Sequence, residues 1–324
     1  ADGFRNPQLA QRERSFLAYW RMRWFGDEPF AEYAGQEHKV PRVAPDLGLI
    51  ARPGSAPQVT WIGHATLLLQ HRGRNLLTDP IFSQRAGPTA FLGARRHTPP
   101  ALTLDQLPPI DYVLISHDHY DHLDRASVQA LGDRPLWLVP LGLKAWLVEA
   151  GIDPARVVER DWWQAWQDGP VRFTATPLQH WSGRGLFDRF DTLWCGWAVD
   201  LDGFRLWFGG DTGYNPVQFR DTGARLGPFD LALLPIGAYA PRWFMRDMHV
   251  DPEEALTLHR ELRATRSLGI HWGTFRLSAE PIDAPPQRLR AAVAAAGLPA
   301  TALGTLARGQ TLRLEADFAA RRAP

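Results

Sequence analysis

A dense run of histidines and aspartates constrains this chain more than any other feature of its sequence. Residues 110–115 are apolar and rich in β-branched side chains, which predicts a buried strand. The run at 116–124 follows directly and contains three histidines and three aspartates. A tight turn there can direct His117 and His119 to one side and the next Asp-His pair to another. Such a loop can serve two neighbouring metal ions, and imidazole and carboxylate ligands favour zinc when thiolates are absent.

Three further metal-ligand candidates each end a predicted strand: His180 after 173–179, Asp211 after 204–210 and His271 after 267–270. The two glycines before Asp211 let the backbone turn closely beneath a metal ion. A single histidine after a strand is more commonly a packed or surface residue. Four strand-end signals in one chain favour a common site instead, because parallel-type sheets gather active sites at strand ends. They also disfavour the alternative that 116–124 is a solvated surface loop.

The order of these motifs resembles that of the metallo-β-lactamase fold, and more closely its branch of N-acyl-phosphatidylethanolamine-hydrolysing phospholipases D. The matching segments, within roughly residues 55–295, are 61–66, 77–83, 108–111, 177–181, 209–214, 227–231, 236–239, 241–245, 249–255 and 270–275. The metal motif is shared by the whole superfamily, whereas the stretch 241–254 is specific to this branch. The resemblance implies an α/β fold of αββα type, with two mixed β-sheets flanked by helices.

The resemblance also implies two zinc ions per chain and the residues that hold them. One ion would be held by His117, His119 and His180, the other by Asp121, His122 and His271, with Asp211 bridging the pair. Two metal ions activate a shared water and clamp a phosphodiester, so no serine or cysteine nucleophile is required. The residues expected to act in catalysis are Asp121, Asp211, His249 and Arg184, the last two as phosphate contacts.

Four residues outside the ligand set have expected positions. Asp79 follows a predicted strand and is expected to accept a hydrogen bond from a ligand imidazole, which would fix its tautomer. Asp124 is expected either to do the same or to cap the helix that follows it. His64 is either a packed core histidine or a neighbour of the site. Cys195 lies in an apolar run, which favours a buried structural thiol.

Two positions depart from the phospholipase D branch. Ser182 stands where the mammalian lipid enzymes carry Cys, and Met248 stands where they carry Gln. Both positions would lie near the head group of the substrate. The resemblance therefore leaves head-group and acyl preference open.

Composition excludes several classes of protein. An apolar content of 45% and a charged content of 22% are typical of a globular protein, and 324 residues suffice for a sizeable core. A formal net charge of +1 without a Lys/Arg run argues against a nucleic-acid partner. One cysteine excludes an intramolecular disulfide, and no apolar run approaches the roughly 18 residues of a membrane-spanning helix. The chain begins at Ala1, which leaves open an exported protein whose N-terminal segment has been removed.

Apolar periodicity predicts the order of the elements. Strands are expected at 58–62, 65–70, 75–78, 111–115, 136–139, 157–158, 171–176, 195–201, 204–208, 231–234 and 310–314, and helices at 10–24, 125–131, 141–150, 215–223, 252–264 and 285–297. Asp251 before Pro252 is a clear helix start, since an N-cap and a first-turn proline precede two acids. We expect an N-terminal extension at 1–57 that packs on a hydrolase domain at 58–324.

Within the extension, residues 9–25 predict a basic, aromatic-rich helix of the kind that lies at a bilayer interface. The alternative is that the aromatic side chains pack on the domain while the arginines face water. The implied lipid substrate favours peripheral membrane contact, so we expect a soluble or peripheral membrane protein. A homodimer is left open.

These observations favour a di-zinc metallohydrolase of phospholipase D type that cleaves N-acyl-phosphatidylethanolamine or related glycerophosphodiesters. A lactonase or a sugar-phosphate hydrolase is the alternative, because a related branch uses similar ligands. A nuclease is disfavoured by the net charge, and a non-catalytic binding module by the completeness of the ligand set.

Overall fold

The computed structural model describes residues 3–9, 21, 26 and 28–314. The strands in these residues are β1 (Gln58–Gly63), β2 (Thr66–His71), β3 (Arg74–Thr78), β4 (Arg85–Ala86), β5 (Ala94–Arg95), β6 (Tyr112–Leu114), β7 (Leu136–Pro140), β8 (Val157–Arg160), β9 (Ala165–Asp168), β10 (Val171–Thr176), β11 (Gly196–Leu201), β12 (Phe204–Phe208), β13 (Leu231–Pro235), β14 (Arg266–Ile270), β15 (Leu303–Gly304) and β16 (Thr311–Arg313). The α-helices are α1 (Leu47–Ala51), α2 (Arg125–Leu131), α3 (Lys144–Glu149), α4 (Gln218–Leu226), α5 (Arg242–Met245), α6 (Pro252–Glu261) and α7 (Ala284–Ala295), with 3-10 turns at Glu37–Lys39, Leu104–Gln106 and Pro154–Arg156. The helix predicted at 10–24 lies, except for Arg21, outside the described residues.

Two mixed seven-stranded sheets form the centre of the molecule. The strand order is β16-β1-β2-β3-β6-β7-β8 in the first sheet and β15-β14-β13-β12-β11-β10-β9 in the second. In each sheet four neighbouring strands are parallel, from β3 to β8 and from β12 to β15, and the others pair antiparallel. Two mixed sheets with helices on them confirm the predicted αββα class.

Alternation along the strands explains the layers. Leu67 and Leu69 of β2 lie in the core shared by the two sheets, whereas Leu68 between them lies in a second core. That second core also contains Val128 of α2 and Leu147 of α3. Successive side chains of a strand point to opposite faces, so the three consecutive leucines 67–69 of β2 are buried on both.

Several elements differ from the prediction, in their bounds or because they were not predicted, for identifiable reasons. The helix expected at 215–223 begins later, as α4, because the Asn215 side chain accepts hydrogen bonds from the amides of Val217 and Gln218 and holds a turn there. The helix expected at 141–150 is the shorter α3, since Gly142 takes a positive φ of 95°. The two-residue hairpin β4–β5 and the four-residue α5 are too short for periodicity to detect.

The strand ends bring the predicted ligands to one edge of the sheets. Asp211 follows β12, His271 follows β14, and the histidine-rich loop follows β6. Gly210 has a φ of +50°, and a Cβ there would lie 2.3 Å from the Cβ of Ser116. Only glycine permits this contact, which brings the two sheets' ligand loops together.

The described part of the N-terminal extension contacts the rest of the chain. The amide of Phe4 donates to the main-chain oxygen of Phe190 at 2.8 Å, and the hydroxyl of Tyr33 donates to that of Glu280 at 3.2 Å. The residues predicted to contact a membrane lie almost entirely outside the described ranges. Among the described helices, none combines the length and the apolarity needed to cross a bilayer.

Candidate metal centre

The loop after β6 positions four of the predicted ligands. The amides of His122 and Leu123 both donate to the main-chain oxygen of His119, at 3.0 and 2.9 Å. This single turn separates the four side chains into two groups. His117 and His119 belong to one group, and Asp121 and His122 belong to the other.

The first group consists of His117, His119 and His180; His117 and His180 are buried, and His119 is half-buried. His119 Nδ1 lies 2.8 Å from His117 Nε2 and 3.2 Å from His180 Nε2. The ring of His180 is oriented by Nδ1, which donates to the main-chain oxygen of Met248 at 2.9 Å. Its own main-chain oxygen accepts from Asn6 Nδ2 at 2.7 Å. Sequence reasoning missed Asn6, because no local signal links positions so far apart in the chain.

The second group consists of Asp121, His122 and His271, and the structure adds His64 to it. The Oδ2 atom of Asp121 lies 2.9 Å from His64 Nε2, 3.3 Å from His271 Nε2 and 3.4 Å from His122 Nε2. The amide of His271 also donates to the main-chain oxygen of His64 at 3.1 Å. His64 is therefore part of the site, where it holds Asp121, rather than an unrelated core residue.

Asp211 lies between the two groups. Its Oδ1 is 3.1 Å from His271 Nε2, and its Oδ2 is 3.3 Å from His122 Nε2 and 3.9 Å from His180 Nε2. One carboxylate thus reaches imidazoles of both groups, which is the position that a bridging ligand requires. The seven side chains that the sequence suggested as ligands are all brought together here.

Asp79 holds one of the suggested ligands, His122, in place. Its fully buried carboxylate accepts from the amide and the hydroxyl of Ser116, at 2.7 and 2.6 Å. It also accepts from His122 Nδ1 at 2.6 Å, which leaves Nε2 of that ring facing Asp121 and Asp211. The predicted contact between Asp79 and a ligand imidazole is confirmed. Burial raises the pKa of Asp79 although His122 opposes the shift.

Electrostatics make the first group neutral. Burial, together with repulsion from neighbouring imidazoles, holds the pKa of His117 and of His119 well below the ordinary range. Burial lowers the pKa of His180 to about 4. Neutral imidazoles have lone pairs available, which is the form in which histidine binds a metal ion.

The second group carries paired charges instead. Burial opposes a positive charge on His122, but Asp211, Asp121 and Asp79 outweigh it and raise the pKa of His122 well above its usual value. Burial likewise opposes a charge on His271, but Asp211 and Asp121 raise its pKa to about 9. Against the effect of burial, His271 and His122 lower the pKa of Asp211 well below its ordinary value. The raised pKa values favour a proton on each of these two histidines, which supplies the positive charge that the carboxylates stabilise.

The donor atoms fit a pair of metal ions. Nε2 of His122 and Oδ1 of Asp211 face the other suggested ligands and are buried, yet neither has a hydrogen-bond partner among the described residues. Buried polar atoms normally have partners, so these atoms require one. Imidazole and carboxylate donors without thiolate suit zinc. When bound, a metal pair would supply Lewis acidity and an activated water.

His249 lies beside Asp211 and His180 and is only partly exposed. Its Nδ1 is 3.8 Å from Asp211 Oδ2, and its ring centroid is 5.2 Å from that of His180. Burial lowers the pKa of His249 to about 3, so the ring is neutral. Trp181 packs against the first group, since its ring centroid is 4.2 Å from that of His119. His249, His180 and Asp211 lie close enough together to share a metal ion, and the substrate contact of His249 stays a prediction.

Arg184 contacts the histidine-rich loop, and its contact with a phosphate stays a prediction. Its Nη1 donates to the main-chain oxygens of Asp118 and Leu123, at 2.5 and 2.8 Å. Its guanidinium also stacks on Tyr120 at 4.1 Å and on Trp146 at 4.8 Å. Through Nη1, Arg184 thus helps to hold the histidine-rich loop in place.

The structure also shows the contacts of three other residues considered in the sequence analysis. Asp124 caps no helix N–H and touches no imidazole among its described contacts; it accepts instead from the hydroxyls of Ser83 and Ser127. The hydroxyl of Ser182 donates to the main-chain oxygen of Thr192 at 2.6 Å. Cys195 is fully buried, and burial raises the pKa of its thiol well above the usual value. Cys195 is therefore a structural residue, as predicted.

Comparison with known proteins agrees with this architecture. The family described as the beta-lactamase superfamily domain matches residues 74–272, which include all seven suggested ligands. The chain belongs to the beta-lactamase superfamily. A solved structure described as Igni18, a novel metallo hydrolase from Ignicoccus hospitalis, has a TM-score of 0.60 at 22% identity and covers 80% of this chain and 99% of its own. At that identity the likeness concerns the fold alone.

Two curated relatives are named for lipid hydrolysis. N-acyl-phosphatidylethanolamine-hydrolyzing phospholipase D 1 of Caenorhabditis elegans is 44% identical over 67% of this chain and 64% of its own length. The mitochondrial enzyme of the same name from Saccharomyces cerevisiae is 38% identical over 71% of this chain and 50% of its own length. The family resemblance stated from the motifs is confirmed. The chain spans less than two thirds of either relative.

Proposed function

We propose that this protein is a di-zinc hydrolase of phospholipase D type, which cleaves N-acyl-phosphatidylethanolamine or a related glycerophosphodiester. The observation that carries the proposal is the convergence of seven suggested ligands into two groups that share Asp211. Paired metal sites of this kind suit in-line displacement at phosphorus, because both oxygens that change charge can be stabilised.

The lipid substrate is proposed from the relatives. The two curated proteins described above are named for hydrolysis of N-acyl-phosphatidylethanolamine, and the match to each covers about two thirds of this chain or more. The stretch 241–254, which sets this branch apart in sequence, includes His249, whose Nδ1 is 3.8 Å from Asp211 Oδ2. The reaction would release phosphatidic acid and an N-acylethanolamine.

The chain's own residues would orient the substrate and keep the site ordered. His249 is neutral and is partly exposed beside Asp211, so it can donate a hydrogen bond to a phosphoryl oxygen. Trp181 would border the space next to His119 and limit access of water. His64 and Asp79 would hold Asp121 and His122 in place through the hydrogen bonds described above.

Metal content provides the first test. Elemental analysis of the purified protein should find close to two zinc ions per chain. A single metal ion per chain, or mainly iron, would refute the zinc pair.

Substrate assays provide the second test. The protein should release phosphatidic acid from N-acyl-phosphatidylethanolamine in detergent micelles, and it should hydrolyse bis-p-nitrophenyl phosphate as a small diester control. A lactone serves as the matched control for the alternative chemistry. Turnover of the lactone without release of phosphatidic acid would assign the site to a lactonase and contradict the proposal.

A further inference from the structure

A polar side chain near the start of the chain is buried against a ligand of the first group. Asn6 is 4% exposed, and its Nδ2 donates to the main-chain oxygen of His180 at 2.7 Å. The two residues are 174 positions apart in the sequence. The contact also sets the orientation of the amide, because only its NH₂ group can donate to a carbonyl. A residue of the N-terminal extension therefore contacts the main chain of a suggested ligand directly.

The other end of the same amide is not satisfied. Asn6 Oδ1 is buried, and it has no hydrogen-bond partner among the described residues. A buried acceptor without a partner destabilises a fold, so an apolar side chain would suit this place better if Asn6 only filled space. The donor group is what distinguishes Asn from such a side chain. Its contact with His180 is therefore the feature of Asn6 that calls for a role.

Main-chain contacts keep Asn6 beside the loop that follows His180. The amide of Phe4 donates to the main-chain oxygen of Phe190 at 2.8 Å, and the amide of Phe190 donates to that of Ser182 at 3.0 Å. Phe4 and Phe190 also pack against the same core between the sheets. The start of the chain is thus attached to this loop at two points, which fixes the place from which the Asn6 side chain reaches its acceptor.

His180 has one contact for its ring and another for its main chain. Its Nδ1 donates to the main-chain oxygen of Met248 at 2.9 Å, which leaves Nε2 at 3.2 Å from His119 Nδ1 and 3.9 Å from Asp211 Oδ2. The contact with Met248 sets the rotation of the ring, whereas the contact with Asn6 fixes the peptide group from which the side chain extends. Both are needed, because a ligand must be held within about 0.5 Å of its productive position.

We propose that Asn6 is a positioning residue for the metal ion of the first group. By holding the main chain of His180, it keeps Nε2 of that ring where it can share an ion with His117 and His119. The inference rests on the metal pair of the proposed function, but it does not depend on the substrate. It assigns a part of the metal centre to the N-terminal extension, outside the residues 74–272 that the superfamily domain matches.

Titration of the full-length apoprotein with zinc, against a chelator of known affinity, tests the proposal. In Asn6→Ala, one of the two zinc ions should bind about tenfold more weakly, since the partners of metal ligands contribute about 10–100-fold to affinity. Asn6→Asp should lose at least as much, because Asp keeps the shape of Asn but its carboxylate cannot donate to a carbonyl. Unchanged zinc affinity in either variant would overturn the proposal.

Gln8→Ala is the matched control. Gln8 lies in the same segment and carries the same amide group, but it is exposed, and its Oε1 accepts from Gln218 Nε2 at 3.3 Å. Its replacement should leave zinc affinity unchanged. An equal loss in Gln8→Ala and Asn6→Ala would overturn the proposal, since the segment would then act through general packing. Circular dichroism and thermal unfolding of the apoproteins show whether each variant is folded.

A double-mutant cycle separates positioning from a general effect on the fold. His180→Ala removes the ligand that Asn6 is proposed to hold. If Asn6 acts through His180, Asn6→Ala should weaken zinc binding in the unmodified chain but should cause no further loss in the His180→Ala background. An equal loss of zinc affinity in both backgrounds would overturn the proposal.

Substrate assays keep this inference apart from the proposed function. Zinc binding is measured without substrate, so the expected zinc results would support the role of Asn6 even if no phosphatidic acid were released. That outcome would refute the proposed substrate alone. An unmodified protein that binds a single zinc ion, with the same affinity in Asn6→Ala, would overturn both the metal pair and the role of Asn6.

Discussion

Replacing Asp79 by Asn tests how far the metal centre depends on a residue that only orients a ligand. The buried carboxylate accepts from Ser116 and, at 2.6 Å, from His122 Nδ1. Asn keeps one acceptor oxygen, but it places an NH₂ group where the second oxygen was, so the N–H of His122 loses its acceptor. A hydrogen bond to a charged group contributes about 1.5–3 kcal/mol, and each 1.4 kcal/mol is a tenfold change. We therefore expect zinc at the Asp121, His122 and His271 group to bind about 10–100-fold more weakly.

Competition with a chelator measures this effect. The apoprotein is titrated with zinc against a chelator of known affinity, and thermal unfolding of the apoprotein shows that the variant is folded. Asp124→Asn is the matched control, because Asp124 lies near the same loop yet accepts from Ser83 and Ser127 rather than from an imidazole. Unchanged zinc affinity in Asp79→Asn would refute the reasoning, and so would an equal loss in Asp124→Asn.

The remaining predictions concern the bridge, the nucleophile and the protons. Asp211→Asn should remove zinc from both groups together, because the carboxylate lies within 3.9 Å of imidazoles of each; elemental analysis showing loss of one zinc only would contradict a bridging role. Ser182→Ala and Cys195→Ala should change hydrolysis of bis-p-nitrophenyl phosphate little, since the Ser182 hydroxyl is bound to Thr192 and Cys195 is buried; loss of a true nucleophile costs about 10⁶-fold, so such a drop would show a covalent mechanism. Zinc binding should release protons at pH 7 and tighten toward pH 9, because the pKa of His271 is raised to about 9 and its proton must leave first. Calorimetry in buffers of different ionisation enthalpy counts these protons, and an absence of release would disagree with this prediction.

Sequence pattern anticipated most of the centre because its ligands are attached to strand ends. Local runs of apolar residues reveal a buried strand before His117 and another before Asp211. The same runs show where each strand ends. The contact of Asp79 with a ligand imidazole followed from the same logic, and the structure confirms it. The hydrogen bonds from Arg184 to the main-chain oxygens of Asp118 and Leu123 were not predicted, because its sequence position does not reveal which carbonyls its guanidinium meets.

Short stretches of sequence therefore specified the fold class, the types of ligand atom and the loops that carry them. Strand periodicity and metal-ligand spacing can both be recognised within a few residues. The arrangement of distant segments specified the rest. Asn6 reaches His180 and His64 reaches Asp121 only because the two sheets and the N-terminal segment are packed in one order. Such contacts depend on the path of the backbone between positions far apart in the chain, and no short window of sequence contains that path. The exposure of Phe187 and the burial of Leu178 are likewise outcomes of packing, because both side chains are apolar and their surroundings alone distinguish them.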